Sequence, residues 1–114
     1  MEQFAYIVVL VTTGTVEEAN KIAAVLLEQR KAACVNIVPR VNSRFWWQGE
    51  LDSAEESLLI VKTRASLLDE VASLVKEAHS YDVAEVIALP IVGGNRDYLD
   101  WMDKELVNPR GSRQ

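Results

Sequence analysis

Cysteine and histidine are the scarcest chemical groups in this 114-residue sequence, with Cys34 and His79 occurring once each. One cysteine excludes a disulfide within the chain, and one of each leaves no four-ligand zinc site of cysteine and histidine. Catalysis of the Ser/His/Asp kind would have to be assembled around His79 alone, and no nucleophile elbow is present. Gly93-Gly94 follows no GxGxxG spacing, so a phosphate-cradling loop is missing as well. Basic residues are outnumbered, 12 Lys and Arg against 17 Asp and Glu for a net charge of -5. That balance argues against nucleic acid, whose phosphates need clustered cations. The apolar run from Phe4 to Val11 is too short to span a bilayer and follows Glu2 rather than a basic stretch. No membrane segment or leader is expected, and with a lone thiol the expected compartment is the cytoplasm.

What is present suits one folded domain. Hydrophobic residues make up 49% and charged residues 25%, enough for both a core and a wetted surface. The domain is expected over residues 1–107, with the polar tail 108–114, which carries Pro109 and Gly111, as a flexible end. Phe4 to Thr13 is β-branched and apolar and reads as a buried strand ended by Gly14. Thr15 and Glu18 have capping-box spacing, and Ala19, Ile22, Ala23 and Leu26 then mark one face of a helix ending near Arg30. A second strand runs from Ala33 through Trp47, interrupted at Pro39, which implies an edge position or a bulge. Gly49 to Asp52 reads as a hairpin turn, and Glu55 to Arg64 as the third strand. Ser66 is the expected N-cap of a second helix whose apolar face is Leu67, Val71, Leu74, Val75 and Ala78. A fourth strand, Glu85 to Val92, carries Pro90, and Asn95 caps a last helix from Arg96 to Leu106. The order β-α-β-β-α-β plus a terminal helix predicts an α+β, ferredoxin-like split βαβ fold with an antiparallel sheet.

In that fold both crossover helices lie on one face of the sheet. The other face should then alternate apolar and polar residues at period two. Ile7 to Val11, Leu58 to Val61 and Val86 to Leu89 are instead apolar on both faces. An apolar sheet face of that size calls for a cover, either the terminal helix alone or that helix over part of it and a neighbouring subunit over the rest, and the second is the expected case. A homo-oligomer is therefore expected.

Few residues remain as carriers of chemistry. His79, at the end of the second helix, either caps that helix or ligates a metal. Cys34 reads as a packed small hydrophobe. Phe45-Trp46-Trp47 either docks on a neighbouring subunit or forms a ligand-stacking platform, and Tyr98 and Trp101 read as core or interface. Lys62 and Glu85 place charges in otherwise apolar strands and imply a polar cleft at a subunit boundary. With no nucleophile–base pair available, no enzymatic activity is expected.

Taken together, the motifs are family-like. Ala32 to Pro39, Ser43, Trp47-x-Gly49, Val61-Lys62-Thr63, His79-x-Tyr81, Ala84 to Pro90 and Gly94-Asn95-x-x-Tyr98-Leu99-x-Trp101 resemble the CutA family of divalent-cation tolerance proteins, from about Tyr6 to Leu106. The resemblance implies a tight homotrimer of PII-like architecture and a non-catalytic role in tolerance of, or response to, metal ions such as copper. It implies an inter-subunit cleft near Lys62, Tyr81, Glu85, Trp47 and Cys34, and packing between subunits through Phe45, Trp46 and Trp101. No cofactor is required; a weakly bound divalent cation, Cu or Zn, is the implied ligand. Bacterial members with a copper site supply a cysteine late in the first strand and a His-His pair ending the second helix. Here those positions hold Val11, Ala78 and His79, so His79 alone is carried over. The alternative is a PII-like signalling or assembly module that takes a small molecule or a protein partner in the same cleft.

Overall fold

The computed structural model describes residues 4–106. The tail expected to be flexible, 108–114, lies outside the described residues. The elements are β1 (Tyr6–Thr13), α1 (Val16–Glu28), β2 (Cys34–Trp47), β3 (Glu50–Arg64), α2 (Leu68–Ala78), β4 (Val86–Pro90) and α3 (Arg96–Glu105). The strands form one sheet in the order β2-β3-β1-β4 with every neighbouring pair antiparallel, which is the expected split βαβ topology. Both proline-bearing strands are edges, as the missing N–H requires.

Alternate residues of the central strands seal the core. Val9 and Val11 pair with Val61 and Leu59, and all four are buried beneath Ile22 and Leu26 of α1 and Val71 and Val75 of α2. The intervening residues face away from those helices. Leu10 pairs with both Ile60 and Ile87, and Val8 with Leu89, making an apolar second face. Helix α3 crosses only one end of it, held by an ion pair from Arg64 to Asp103 at 2.8 Å. Ile87 and Leu89 remain 52% and 50% exposed.

Three local expectations change. Glu18 donates its backbone N–H to the Thr15 hydroxyl at 3.1 Å, but its carboxylate turns to Ser80 rather than back to Thr15, so the capping box is half formed. Ser66 does not cap α2. A 3-10 turn over Ala65–Leu67 precedes the helix, anchored by the Ala65 N–H on the Ala5 carbonyl at 2.7 Å, and it buries Leu67. The hairpin turn is Gln48-Gly49, not Gly49 to Asp52. Both residues have positive φ, 50° and 83°, matching the mirror-image two-residue turn that suits twisted strands. Residues 50–54 therefore belong to β3, and the β2–β3 hairpin extends as an arm beyond Thr13↔Ser57, the last pair that β1 makes. The arm raises the radius of gyration to 14.8 Å, against about 13 Å for a compact chain of this length.

Between Val38 and Val41 the register slips by one residue, and Arg40 takes a left-handed φ of 64°. This bulge sits at Pro39. It transfers the odd-numbered residues of β2 to the face of Glu56, because Val38 opposes Leu58 and Val41 opposes Glu56. Ser43, Phe45 and Trp47 consequently share a face with Asp52 and Glu56.

Candidate functional site

Where the arm leaves the sheet, the loop from His79 to Glu85 passes the end of β1, and the two enclose a cleft of about 610 Å³. Its position follows from three backbone features. Gly14 ends β1 beneath the Tyr81 ring; a Cβ there would lie 3.1 Å from the Tyr81 hydroxyl oxygen, so a larger residue would displace the ring. The bulge turns Phe45 and Trp47 toward the cleft. The end of α2 fixes the far wall through His79.

His79 has a fully buried side chain and a settled tautomer. Its Nε2 lies 2.6 Å from the Thr12 carbonyl oxygen, which only accepts, so Nε2 carries the proton. Its Nδ1 accepts the Tyr81 N–H at 3.0 Å. The neutral ring thus ties β1 to the loop after α2, with Tyr81 tilted against it at 4.7 Å between centroids. Glu18 completes the tie by accepting from the Ser80 N–H and hydroxyl, with one oxygen 3.7 Å from His79 Nδ1.

At the cleft floor the Tyr81 hydroxyl donates to Glu56 Oε2 at 3.0 Å. Burial raises the Tyr81 pKa above the ordinary tyrosine value, and the hydrogen bond to Glu56 and the Glu56 and Glu18 charges raise it further. Glu56 is only 8% exposed. Asp52, Asp82 and Glu85 also line the cleft, against Arg44 as its one cation among the described residues. Among the described residues, no three His, Cys, Asp or Glu side chains converge in a way that could hold a metal ion.

Of the residues singled out in the sequence, the structure brings Trp47, Tyr81 and Glu85 together in this cleft, with Phe45 beside them. Lys62 and Cys34 do not line it. They are register partners toward the other end of β3, where Lys62 Nζ lies 5.8 Å from the Tyr98 ring centroid. Trp46 is exposed on the arm, and Trp101 is exposed on α3 beside Tyr98, at 5.4 Å between centroids. Sequence reasoning missed Glu56, Asp52 and Arg44. A glutamate in Glu55-Glu56 looks like ordinary surface charge, and only the register past the bulge shows that it is buried.

A family model described as CutA1 divalent ion tolerance protein matches residues 7–105, nearly all of the described chain. The chain belongs to the CutA1 family. It is 50% identical over 95 residues to the divalent-cation tolerance protein CutA of Thermus thermophilus, covering 83% of this chain and 92% of that protein. It is 51% identical over 96 residues to the chloroplastic protein CutA 1 of Oryza sativa, covering 84% of this chain and 54% of that one. The chain spans about half the length of the rice and Arabidopsis relatives, 54% and 56%. The crystal structure of CutA1 from Oryza sativa superposes with a TM-score of 0.88 at 48% identity, covering 90% of this chain and 94% of that one. The Thermus thermophilus structure gives 0.83 at 49% identity, covering 84% and 93%. The CutA1 fold thus accounts for the sheet order, the three helices and the long hairpin together. No helix among the described residues is long and apolar enough to cross a membrane.

Proposed function

We infer that this CutA1-family chain acts as a non-catalytic homotrimer in tolerance of, or response to, divalent metal ions, copper among them. The observation that carries the oligomer is the sheet face of Leu10, Ile60, Ile87 and Leu89, on which α3 leaves Ile87 and Leu89 half exposed. Apolar area of this kind is favourable to bury and a liability in water. Two further copies around a threefold axis cover it, with Phe45, Trp46 and Trp101 as packing residues. The single thiol of Cys34 supports a cytoplasmic setting.

Metal binding by this chain is weak. His79 is its one imidazole, and Nδ1 reaches a Cu or Zn ion only by releasing the Tyr81 N–H. Light scattering at low micromolar concentration tests the assembly: three copies are expected, and a monomer overturns it. Calorimetric Cu(II) titration of wild type and His79→Ala tests the metal, since saturable binding unaffected by the substitution removes His79 from the account.

A second reading, a PII-like signalling or assembly module that takes a small molecule or a protein partner in the inter-subunit cleft, is favoured by one observation. The cleft of about 610 Å³ lies within the range of roughly 300–1,000 Å³ common to small-molecule sites. A thermal-shift screen of metabolites separates this reading from the first.

A further inference from the structure

We propose that Lys62 of one copy donates to the Glu56 carboxylate of the next, so that each seam of the homotrimer is closed by an ion pair that no chain can form alone. The inference rests on the trimer reading above and needs no ligand in the cleft.

Two charges on the covered face are left half satisfied within one chain. Glu56 is only 8% exposed, and its Oε2 accepts from the Tyr81 hydroxyl at 3.0 Å. Its Oε1 receives no hydrogen bond and meets no cation among the described residues. Lys62 is half-buried, and its Nζ lies 5.8 Å from the Tyr98 ring centroid with no hydrogen bond or ion pair to a described residue. A ring face attracts the charge but leaves the three N–H donors of the ammonium unmet. Arg64, the next residue of β3 on this face, differs, because Asp103 holds it at 2.8 Å.

The two charges cannot meet inside one chain. Both face away from α1 and α2, since Leu59 and Val61 between them are on the buried side. Six residues of strand separate them, about 20 Å. Leu58 and Ile60 fill the strip in between, so the face is acidic at one end, apolar in the middle and basic at the other. A neighbouring copy that covers the strip also takes water from both ends, and a carboxylate and an ammonium so covered each require the opposite charge. The interfaces of a threefold ring are head-to-tail: one end of each copy meets a different end of the next. Basic end against acidic end joins each Glu56 to one Lys62, three pairs in all. Acid against acid is repelled, so the pair also fixes the direction in which the copies follow one another.

The test is a double-mutant cycle on the full chain with Glu56→Gln and Lys62→Met, read by urea unfolding at one fixed protein concentration. Substitutions more than about 7–10 Å apart are additive, so coupling between these positions reports a contact between copies. Each single variant is expected to lower the urea midpoint, and the double variant to fall no further than the worse single. That corresponds to a coupling of roughly tenfold or more in the equilibrium constant. Circular dichroism verifies folding, and light scattering gives the number of copies. Additive losses, or no loss in either single variant, with a wild type of three copies overturn the pair and leave the trimer standing. A monomeric wild type overturns both. Should Glu56→Gln fail to fold, zero-length carbodiimide coupling of the wild type decides. A Lys62–Glu56 amide is expected in chain pairs that survive SDS, identified by mass spectrometry of their peptides. Recovery of the Lys31–Glu70 amide, from the pair at 2.5 Å within one chain, without the Lys62–Glu56 amide overturns the proposal.

Discussion

Replacing His79 with alanine should destabilise the fold far more than an ordinary surface substitution, because the imidazole bonds backbone groups at both of its nitrogens. Its loss strands the Thr12 carbonyl and the Tyr81 N–H. Each orphaned group costs about 1–3 kcal/mol where water cannot replace the partner. The vacated ring leaves a void against Tyr81 that adds to this, so the total expected is about 3–5 kcal/mol. That is a large share of a typical domain stability of about 5–15 kcal/mol. Urea unfolding followed by far-UV circular dichroism, at one fixed protein concentration, should show a lower midpoint with an unchanged slope. His79→Gln restores a donor near the Nε2 position but not the acceptor for Tyr81, so it should lose roughly half as much. If alanine and glutamine both fall within about 0.5 kcal/mol of wild type, the range of a neutral surface change, the ring is not the tie described here.

Other outcomes follow from the same contacts. Tyr81 and Tyr6 both have raised pKa values, Tyr81 through burial and Glu56, Tyr6 through burial and Asp103. A raised folded-state pKa gives stability that is complete below the ordinary value of 10.0 and is lost as pH climbs through the folded value. Melting temperature should therefore fall on the alkaline side, with a shallower fall in Tyr81→Phe, as scanning calorimetry across that range can read. Leu89→Glu places a charge on the open sheet face and should yield monomers by light scattering; a persistent trimer would remove that face from the interface. Leu59→Ala, in the centre of the core, should cost about 2–5 kcal/mol in urea unfolding. Arg40→Gly relieves a left-handed φ of 64° and should gain up to about 1 kcal/mol in the same assay.

The element order was legible because hydrophobic period and turn chemistry agreed along most of the chain. Thr15 and Asn95 cap their helices through the side-chain oxygens that the sequence suggested. The misreadings have local causes. Gln48 is an unusual residue for positive φ, so the glycine beside it drew the expected turn two residues too far along. Ser66 looked like a cap, yet backbone hydrogen bonds alone satisfy the 3-10 turn that stands there. Of the cleft within one chain, Tyr81, Glu85 and Trp47 stand out in the sequence as unusual residues in their contexts, whereas Glu56 depends on register. Lys62 shares the face of Glu56 but stands six residues away along β3, about 20 Å at strand rise. One-dimensional spacing conveys neither the bulge nor that separation.

The arm is fastened along one side only. On the arm side of Ser57, β3 has β2 as its single neighbour among the described residues, so there the outer hairpin forms ladder bonds only within itself. A two-stranded ribbon is marginal in water. The amides beyond the bulge should therefore exchange with deuterium well before those of β1, as a separate opening unit. Whatever settles in the cleft, a small molecule or a neighbouring chain, must first still that ribbon. Its affinity will report how much of the arm was ordered beforehand as much as how well the side chains fit.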